Sequence, residues 1–307
     1  MMRKNESSPA ENPLTSARSR RLRLFIILTL LLAIVPIMNF TGCAESTAFY
    51  FPTRESFVTP KGFEDVTITT PDGVKLHAWF MPAHNRAAGA GPAPAVIHCH
   101  GNAGNISSHE AFSRFLPHSG VSVLIFDYRG YGRSEIAGRL NRAACMTDTL
   151  AAYDYLKSRK DVDTSRIGAY GVSLGGAFAL QLAADHPEIR SICTVSAFTS
   201  FPEVASDHVP ILASLLIRRG LDGSANAARL GNRSYLIVHG DRDDIIPPAH
   251  ATRLAAAARS AGVPVEVFMV SDAGHNDVLF MNDEAKQRIA EFFTRTLSDS
   301  SPSRTTP

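Results

Sequence analysis

From about Thr67 onward, short runs rich in β-branched residues alternate with segments whose apolar residues recur at spacings of three and four. That alternation is the signature of a mostly parallel sheet covered on both faces by crossover helices, because a strand buried on both sides needs packing above and below. Strands are expected at Val66–Thr69, Leu76–Met81, Ala95–His100, Val121–Asp127, Arg166–Tyr170, Ile192–Val195, Tyr235–His239 and Val265–Val270. Helices are expected at Ile106–Ser119, Ala143–Ser158, Leu174–Ala184, Pro248–Ala261 and Asp283–Leu297. Pro248 suits a first helical turn, where a missing N–H leaves no bond unmade. The fold class is therefore α/β, with eight strands in one doubly wound sheet, and 307 residues at 45% hydrophobic positions can bury one large core. Phe198 to Leu230 interrupts the alternation, carries the apolar stretch Val209 to Ile217, and reads as a small cap at about 198–230. Ala83–Pro94 reads as a surface loop and 298–307 as a polar, disordered tail.

Gly171-Val172-Ser173-Leu174-Gly175-Gly176 lies where an expected strand turns into an expected helix. G-x-S-x-G in that context pushes the serine into a strained, exposed turn, with glycines where helix and strands approach closely. The N–H of Leu174, at a helix N-terminus, would face an oxyanion formed beside Ser173. A second donor should come from the glycine-relieved turn His100-Gly101-Asn102-Ala103-Gly104-Asn105, with Asn102 as candidate. A serine hydroxyl needs an adjacent base, itself oriented by a carboxylate. His275, in the turn Ala273-Gly274-His275 after the last strand, is the expected base. The acid is expected in His239-Gly240-Asp241-Arg242-Asp243-Asp244, where spacing leaves Asp241, Asp243 and Asp244 open. His98 and His100, with His109 and His118 nearby, accompany no HExxH or carboxylate ligand pattern and read as structural, so no metal or cofactor is expected.

Six of the 31 basic residues and two of the 29 acidic ones lie in residues 1–43, leaving a slightly acidic remainder of 25 against 27. Without a basic block beyond the N-terminus, a nucleic-acid partner has no support. The basic stretch ending at Arg23 precedes an apolar run, Leu24 to Met38, broken only by Thr29. Its fifteen residues fall short of the ~20 that span a bilayer, which favours an export signal over a spanning anchor. Phe40-Thr41-Gly42-Cys43 resembles the lipobox of bacterial lipoproteins, which implies Cys43 as a lipid-attachment site; an uncleaved signal anchor is the alternative. Residues 1–43 thus read as a signal peptide, 44–65 as a tether and lead-in, and 66–297 as the catalytic domain. Cys99, Cys145 and Cys193 sit in apolar patterns and read as buried thiols.

HCHGNAGN, FDYRGYGRSE, GVSLGGA, SAFTSF, HGDRDDIIP and AGHNDV together resemble bacterial lipoprotein-type α/β hydrolases, related to eukaryotic palmitoyl-protein depalmitoylases and serine aminopeptidase-like hydrolases. The resemblance runs from about Phe49 to Leu297. It implies an α/β-hydrolase fold with a small cap insertion, Ser173 as nucleophile, His275 as base, Asp243 as the acid among the three aspartates, and Asn102 with Leu174 as oxyanion hole. It gives Asp127–Gly132 a place in the site wall. Arg233-Ser234 stands where such proteins often have Cys-Pro.

The expected function is hydrolysis of an acyl ester or thioester by a serine hydrolase held at a membrane outside the cytoplasm. A serine peptidase is the runner-up, since the chain terminus recognition or added domain of oligopeptidases is not visible. A non-catalytic envelope binding protein is the third reading.

Overall fold

A computed structural model describes residues 42–84, 86–87, 89–281 and 283–298, with positions 20, 22–26, 29 and 38 of the N-terminal segment. Most of the apolar run, Phe40 and Thr41 of the lipobox-like sequence, and the tail beyond 298 lie outside the described residues.

Eight strands form the central sheet: β1 (Glu64–Thr69), β2 (Lys75–Met81), β3 (Ala93–Cys99), β4 (Ser122–Phe126), β5 (Val162–Val172), β6 (Ser191–Val195), β7 (Ser234–Gly240) and β8 (Val265–Val270). Their order is β1-β2-β4-β3-β5-β6-β7-β8, with β2 antiparallel to both neighbours and all other pairs parallel. β3, β4 and β6 are buried along their whole length, as parallel strands covered on both faces must be. Two apolar clusters result, one on each face of the sheet. The covering helices are α1 (Cys43–Phe49), α2 (Ile106–His109), α3 (Arg142–Ser158), α4 (Leu174–Asp185), α5 (Phe201–His208), α6 (Pro210–Leu216), α7 (Gly223–Ala228), α8 (Ala249–Ser260) and α9 (Glu284–Thr296).

Three expectations change. The helix expected over Ile106–Ser119 is broken into α2 and two 3₁₀ turns, Glu110–Phe112 and Leu116–Ser119. Pro117 cannot donate inside a continuing helix, and the short turns let Phe112 and Leu116 both reach the core. β5 begins four residues earlier than expected and pairs irregularly with β3 near Ala93 and Ala95. Residues 44–65 are no loose tether: α1 docks on the domain, with Ala44, Glu45 and Tyr50 buried. Glu45 accepts from the Arg142 backbone N–H (2.9 Å), its Nε (3.0 Å) and its Nη2 (2.6 Å). The stretch after β6 folds as α5, α6 and α7, and α5 with Val209 after it lines the cleft at the sheet's carboxyl edge, where open α/β sheets place their clefts.

Candidate active site

The chain passes from β5 to α4 at Ser173, whose backbone adopts φ 53° and ψ −119°. This is a conformation an L-residue holds only when its surroundings demand it. The demand comes from both sides: the Ser173 N–H is bonded to the Val195 carbonyl of β6 (2.8 Å), and α4 starts at the next residue. No side chain fits at the flanking glycines. A Cβ on Gly175 would overlap the Cys99 carbonyl, and one on Gly171 would overlap the backbone of Gly175 and Gly176.

Loops after β5, β7 and β8 converge there. His275 Nε2 lies 3.0 Å from Ser173 Oγ and its Nδ1 lies 2.8 Å from Asp243 Oδ2. Of the three aspartates, Asp243 is buried while Asp241 and Asp244 are exposed. Asp241 instead accepts the Asp272 N–H (2.7 Å), closing the loop against its neighbour. The other oxygen of Asp243 accepts the N–H groups of Ile245 (3.0 Å) and Ile246 (2.7 Å). His239 Nε2 stands 3.3 Å from Oδ2 and 2.8 Å from the Ile246 carbonyl. Burial pushes the Asp243 carboxyl up, but the hydrogen bonds from His239 and His275 outweigh it and hold the group below the usual carboxylate range. Asp243 is therefore a fixed anion facing one side of an imidazole.

Leu174 is the first residue of α4, so its N–H has no intrahelical acceptor and lies at the positive end of the helix dipole. Asn102 sits in the turn after β3. Its carbonyl accepts from the Phe51 N–H and from the Tyr131 hydroxyl, both at 2.8 Å, which locks the peptides of this turn beside Ser173. The roles of Phe51 and Tyr131 carried no separate signal in the sequence, although Tyr131 falls in the Asp127–Gly132 loop assigned to the site wall. In that loop Arg129 pairs with Asp148 (2.7 Å) and Asp72 (2.7 Å), anchoring the wall to α3 and to the β1–β2 turn.

Two cavities meet at Ser173. The larger, about 530 Å³, is lined by Ser173, His275, Asn102 and Leu174 at its base and by Ala48, Phe49, Phe51, Phe198, Val204, Ala205, Val209, Ile245 and Ile246 above. The other, about 460 Å³, shares Asn102, Ser173 and His275 and extends past Ser108, His109, Phe112 and Phe280. Phe49 comes from α1, where its ring packs on Phe201 at 4.8 Å and Phe198 at 6.5 Å.

The remaining expected residues lie as follows. His98 is buried in β3 with Nδ1 2.8 Å from Ser113 Oγ, and His100 is buried with Nδ1 donating to the Gly101 carbonyl (2.8 Å). Cys99, Cys145 and Cys193 are buried free thiols, and burial pushes Cys99 up to about 12. Cys43, half-buried, is the first residue of α1. Arg233, at the departure from Cys-Pro, donates to the Leu230 carbonyl (2.6 Å) and to the His186 carbonyl (3.2 Å), tying the start of β7 to the end of α4.

Residues 94–230 match the family model described as alpha/beta hydrolase fold, and residues 218–300 match that of the prolyl oligopeptidase family. The chain is 36% identical over 243 residues to the uncharacterized protein YfhR of Salmonella typhi, covering 75% of this chain and 80% of that protein. It is 35% identical over 268 residues to an uncharacterized protein of Mycobacterium tuberculosis, covering 85% and 91%. With the alpha/beta hydrolase domain-containing protein WAV2 of Arabidopsis thaliana it shares 30% identity, covering 64% and 67%. Among solved structures it resembles the esterase Pf2001 of Pyrococcus furiosus, with TM-score 0.68, 23% identity, and coverage of 81% of this chain and 99% of that one. The acylaminoacyl peptidase of Pyrococcus horikoshii gives TM-score 0.63 at 16% identity, over 79% of this chain and 43% of that one. At such identities the two structures speak for the fold alone.

Proposed function

This chain belongs to the α/β-hydrolase fold family, and from that membership we propose that it is a serine hydrolase cleaving carboxylic ester or acyl thioester bonds through an acyl-enzyme on Ser173. The observation that supports this reading is the unbroken hydrogen-bond chain from Asp243 through His275 to Ser173, ending at the floor of an apolar cavity. As Ser173 Oγ attacks the substrate carbonyl carbon, His275 Nε2 takes the hydroxyl proton and Asp243 holds the imidazolium by its Nδ1–H. The oxyanion falls to the N–H groups of Leu174 and Asn102. Collapse of this intermediate expels the alcohol or thiol, which takes the proton back from His275. Water then adds to the acyl-enzyme with His275 again as base, and the carboxylic acid leaves with Ser173 restored.

The larger cavity suits an acyl chain, because its walls, His208 and Asn276 apart, are aromatic and aliphatic side chains whose burial against hydrocarbon is favourable at ~25 cal/mol per Å². The second cavity leaves room for the alcohol or thiol half. Peptide hydrolysis is the competing reading, favoured by the match to the prolyl oligopeptidase family across Asp243 and His275. We weight esters above it because the larger cavity's walls present few hydrogen-bond partners for a peptide backbone. We further propose that Cys43 is a lipid-attachment site and that the domain is held on the extracytoplasmic face of a membrane, a reading supported by the basic flank, the apolar run and the lipobox-like sequence. No helix among the described residues is long and apolar enough to cross a membrane.

The test is fluorophosphonate labelling of wild type and Ser173→Ala, followed by turnover of p-nitrophenyl esters of increasing chain length and of aminoacyl amides. Ser173-dependent labelling with ester turnover that falls on the order of 10⁶-fold in the variant is expected. Amide turnover exceeding ester turnover would transfer the protein to the peptidases, and a folded wild type that takes no label would end the catalytic reading. Mass analysis of the mature N-terminus checks Cys43: an intact leader with an unmodified thiol rules the lipid attachment out.

A further inference from the structure

Away from the active site, four arginines converge on a groove of about 340 Å³ at the start of α1, lined by Gly42, Glu45, Arg139, Arg142, Arg218 and Arg219. Glu45 is the sole carboxylate in that lining, and it is already matched by Arg142 through the bonds described above. Arg142 also donates to the Arg218 carbonyl (2.9 Å) and the Gly220 carbonyl (2.6 Å). These bonds fix the backbone that presents Arg218 and Arg219, whose side chains are exposed. Arg218 and Arg219 therefore add positive charge at the rim that no carboxylate of this lining balances. Apolar side chains stand beside it. Ile136, which lines a neighbouring cavity together with Arg139, is 72% exposed, and Leu215, one turn before Arg218, is 51% exposed.

The chain's own order brings a bilayer to this groove. The apolar run ends at Met38, four residues before Gly42, a span of at most ~14 Å when fully extended. Met38 itself packs partly buried against the core of the domain. Cys43, the proposed acylation site, directly follows Gly42 of this groove, so acyl chains on Cys43 bring a bilayer to the side of the domain on which Arg218 and Arg219 are exposed. Basic residues rimmed by exposed aliphatic ones are the composition that binds an anionic interface, cations on phosphates and aliphatics in the acyl boundary.

We propose that this groove docks the phosphate-bearing headgroups of an anionic bilayer, so that the tethered domain is held in one orientation on the membrane instead of swinging on its anchor. The inference rests on the reading of the N-terminal run and Cys43 as a membrane attachment. In the docked orientation α1, whose Ala48 and Phe49 line the larger cavity, lies next to the lipid surface. Substrate acyl chains then reach Ser173 from the bilayer without crossing water.

The test uses the full chain in vesicles of phosphatidylcholine alone or with added phosphatidylglycerol, with Ile136 replaced by the photoreactive p-benzoylphenylalanine. Crosslinking of position 136 to lipid is expected to rise at least about fivefold with phosphatidylglycerol, the factor one basic residue contributes near an anionic surface. The double substitution Arg218→Glu with Arg219→Glu should abolish the rise, and Arg218→Lys with Arg219→Lys should retain it. Crosslinking indifferent to phosphatidylglycerol, or a rise that survives charge reversal, would overturn the proposal. Inorganic phosphate binding at Arg218 and Arg219 with no rise in crosslinking on addition of phosphatidylglycerol would also overturn it, because the groove would then be reading a soluble anion. Turnover of a soluble short-chain ester is expected to stay unchanged in both double variants, which shows them folded. Absence of that turnover in wild type would count against the proposed hydrolysis and leave the crosslinking result standing.

Discussion

Ser173, His275 and Asp243 differ in how far each could be placed before the fold was known. Ser173 is marked by its glycines, which are demanded by contacts so close that no other residue fits, and His275 by its turn after the last strand. Asp243 has two aspartate neighbours with equal claims by spacing. The choice is made by which carboxylate turns inward, and that is decided by the Ile245 and Ile246 N–H groups that receive it. Asp243→Asn should lower ester kcat on the order of 10⁴-fold while leaving the fold intact by circular dichroism, since an amide no longer holds the reactive imidazole tautomer. Tyr131 acts one step removed, through the Asn102 carbonyl. Tyr131→Phe should reduce kcat roughly tenfold with KM little changed, because a loosened turn misplaces a donor that matters only when the oxyanion forms. A matching rise in KM would instead assign Tyr131 to substrate binding.

Among the elements, the central strands and their helices follow directly from the alternating pattern, whereas α1 does not. Its seven residues have no long amphipathic period, and it is helical because Glu45 and Phe49 find partners on α3 and on the cap. Glu45 and Arg142 join three segments distant in sequence: α1, the start of α3 and the backbone at 218–220. Arg142 also lies over the ring of Phe201, 4.5 Å from its centroid, so the same side chain supports the cap. Glu45→Gln leaves a nearly buried guanidinium without its carboxylate, and breaking such pairs costs about 3 kcal/mol or more. The variant should unfold at lower urea with an unchanged denaturant slope, and if the larger cavity holds the acyl chain as proposed, turnover of longer acyl esters should fall relative to short ones as Phe49 loses its place. Unaltered urea midpoints would show that Arg142 finds compensation in the carbonyls of 218 and 220. The broken helix at Ile106–Ser119 carries the same lesson, for its apolar spacing suits one helix but Pro117 and the packing of Phe112 require two turns.

For the whole molecule, the histidines buried beneath the site set how stability responds to acid. Burial holds His98 and His100 well below the ordinary histidine value near 6.5, and each is fully enclosed. In the unfolded chain both take up a proton as pH falls below about 6.5, while in the folded protein they remain neutral. Unfolding therefore binds protons, and stability decreases as pH drops below about 6.5, by up to ~1.4 kcal/mol per pH unit for each histidine. Asp243 works in the same direction lower down: its depressed carboxyl contributes stability present above about pH 4 and lost as pH falls through its folded value. Urea midpoints should hold level from pH 7.5 to about 6.5 and fall from there to pH 5, and His98→Gln should flatten that fall; a wild-type profile flat down to pH 5 would contradict it. The primary sequence alone determined the α/β class, the eight strands, the strained serine and its histidine, because periodicity and close backbone approach are local demands written in consecutive residues. Tertiary structure decided which of the three aspartates is buried against His275, a choice that spacing left open and the family resemblance implied, together with the grip on Asn102, the docking of α1 and the shape of the two cavities. Most of these depend on groups tens of residues apart meeting across loops, which only the assembled sheet brings within hydrogen-bonding reach.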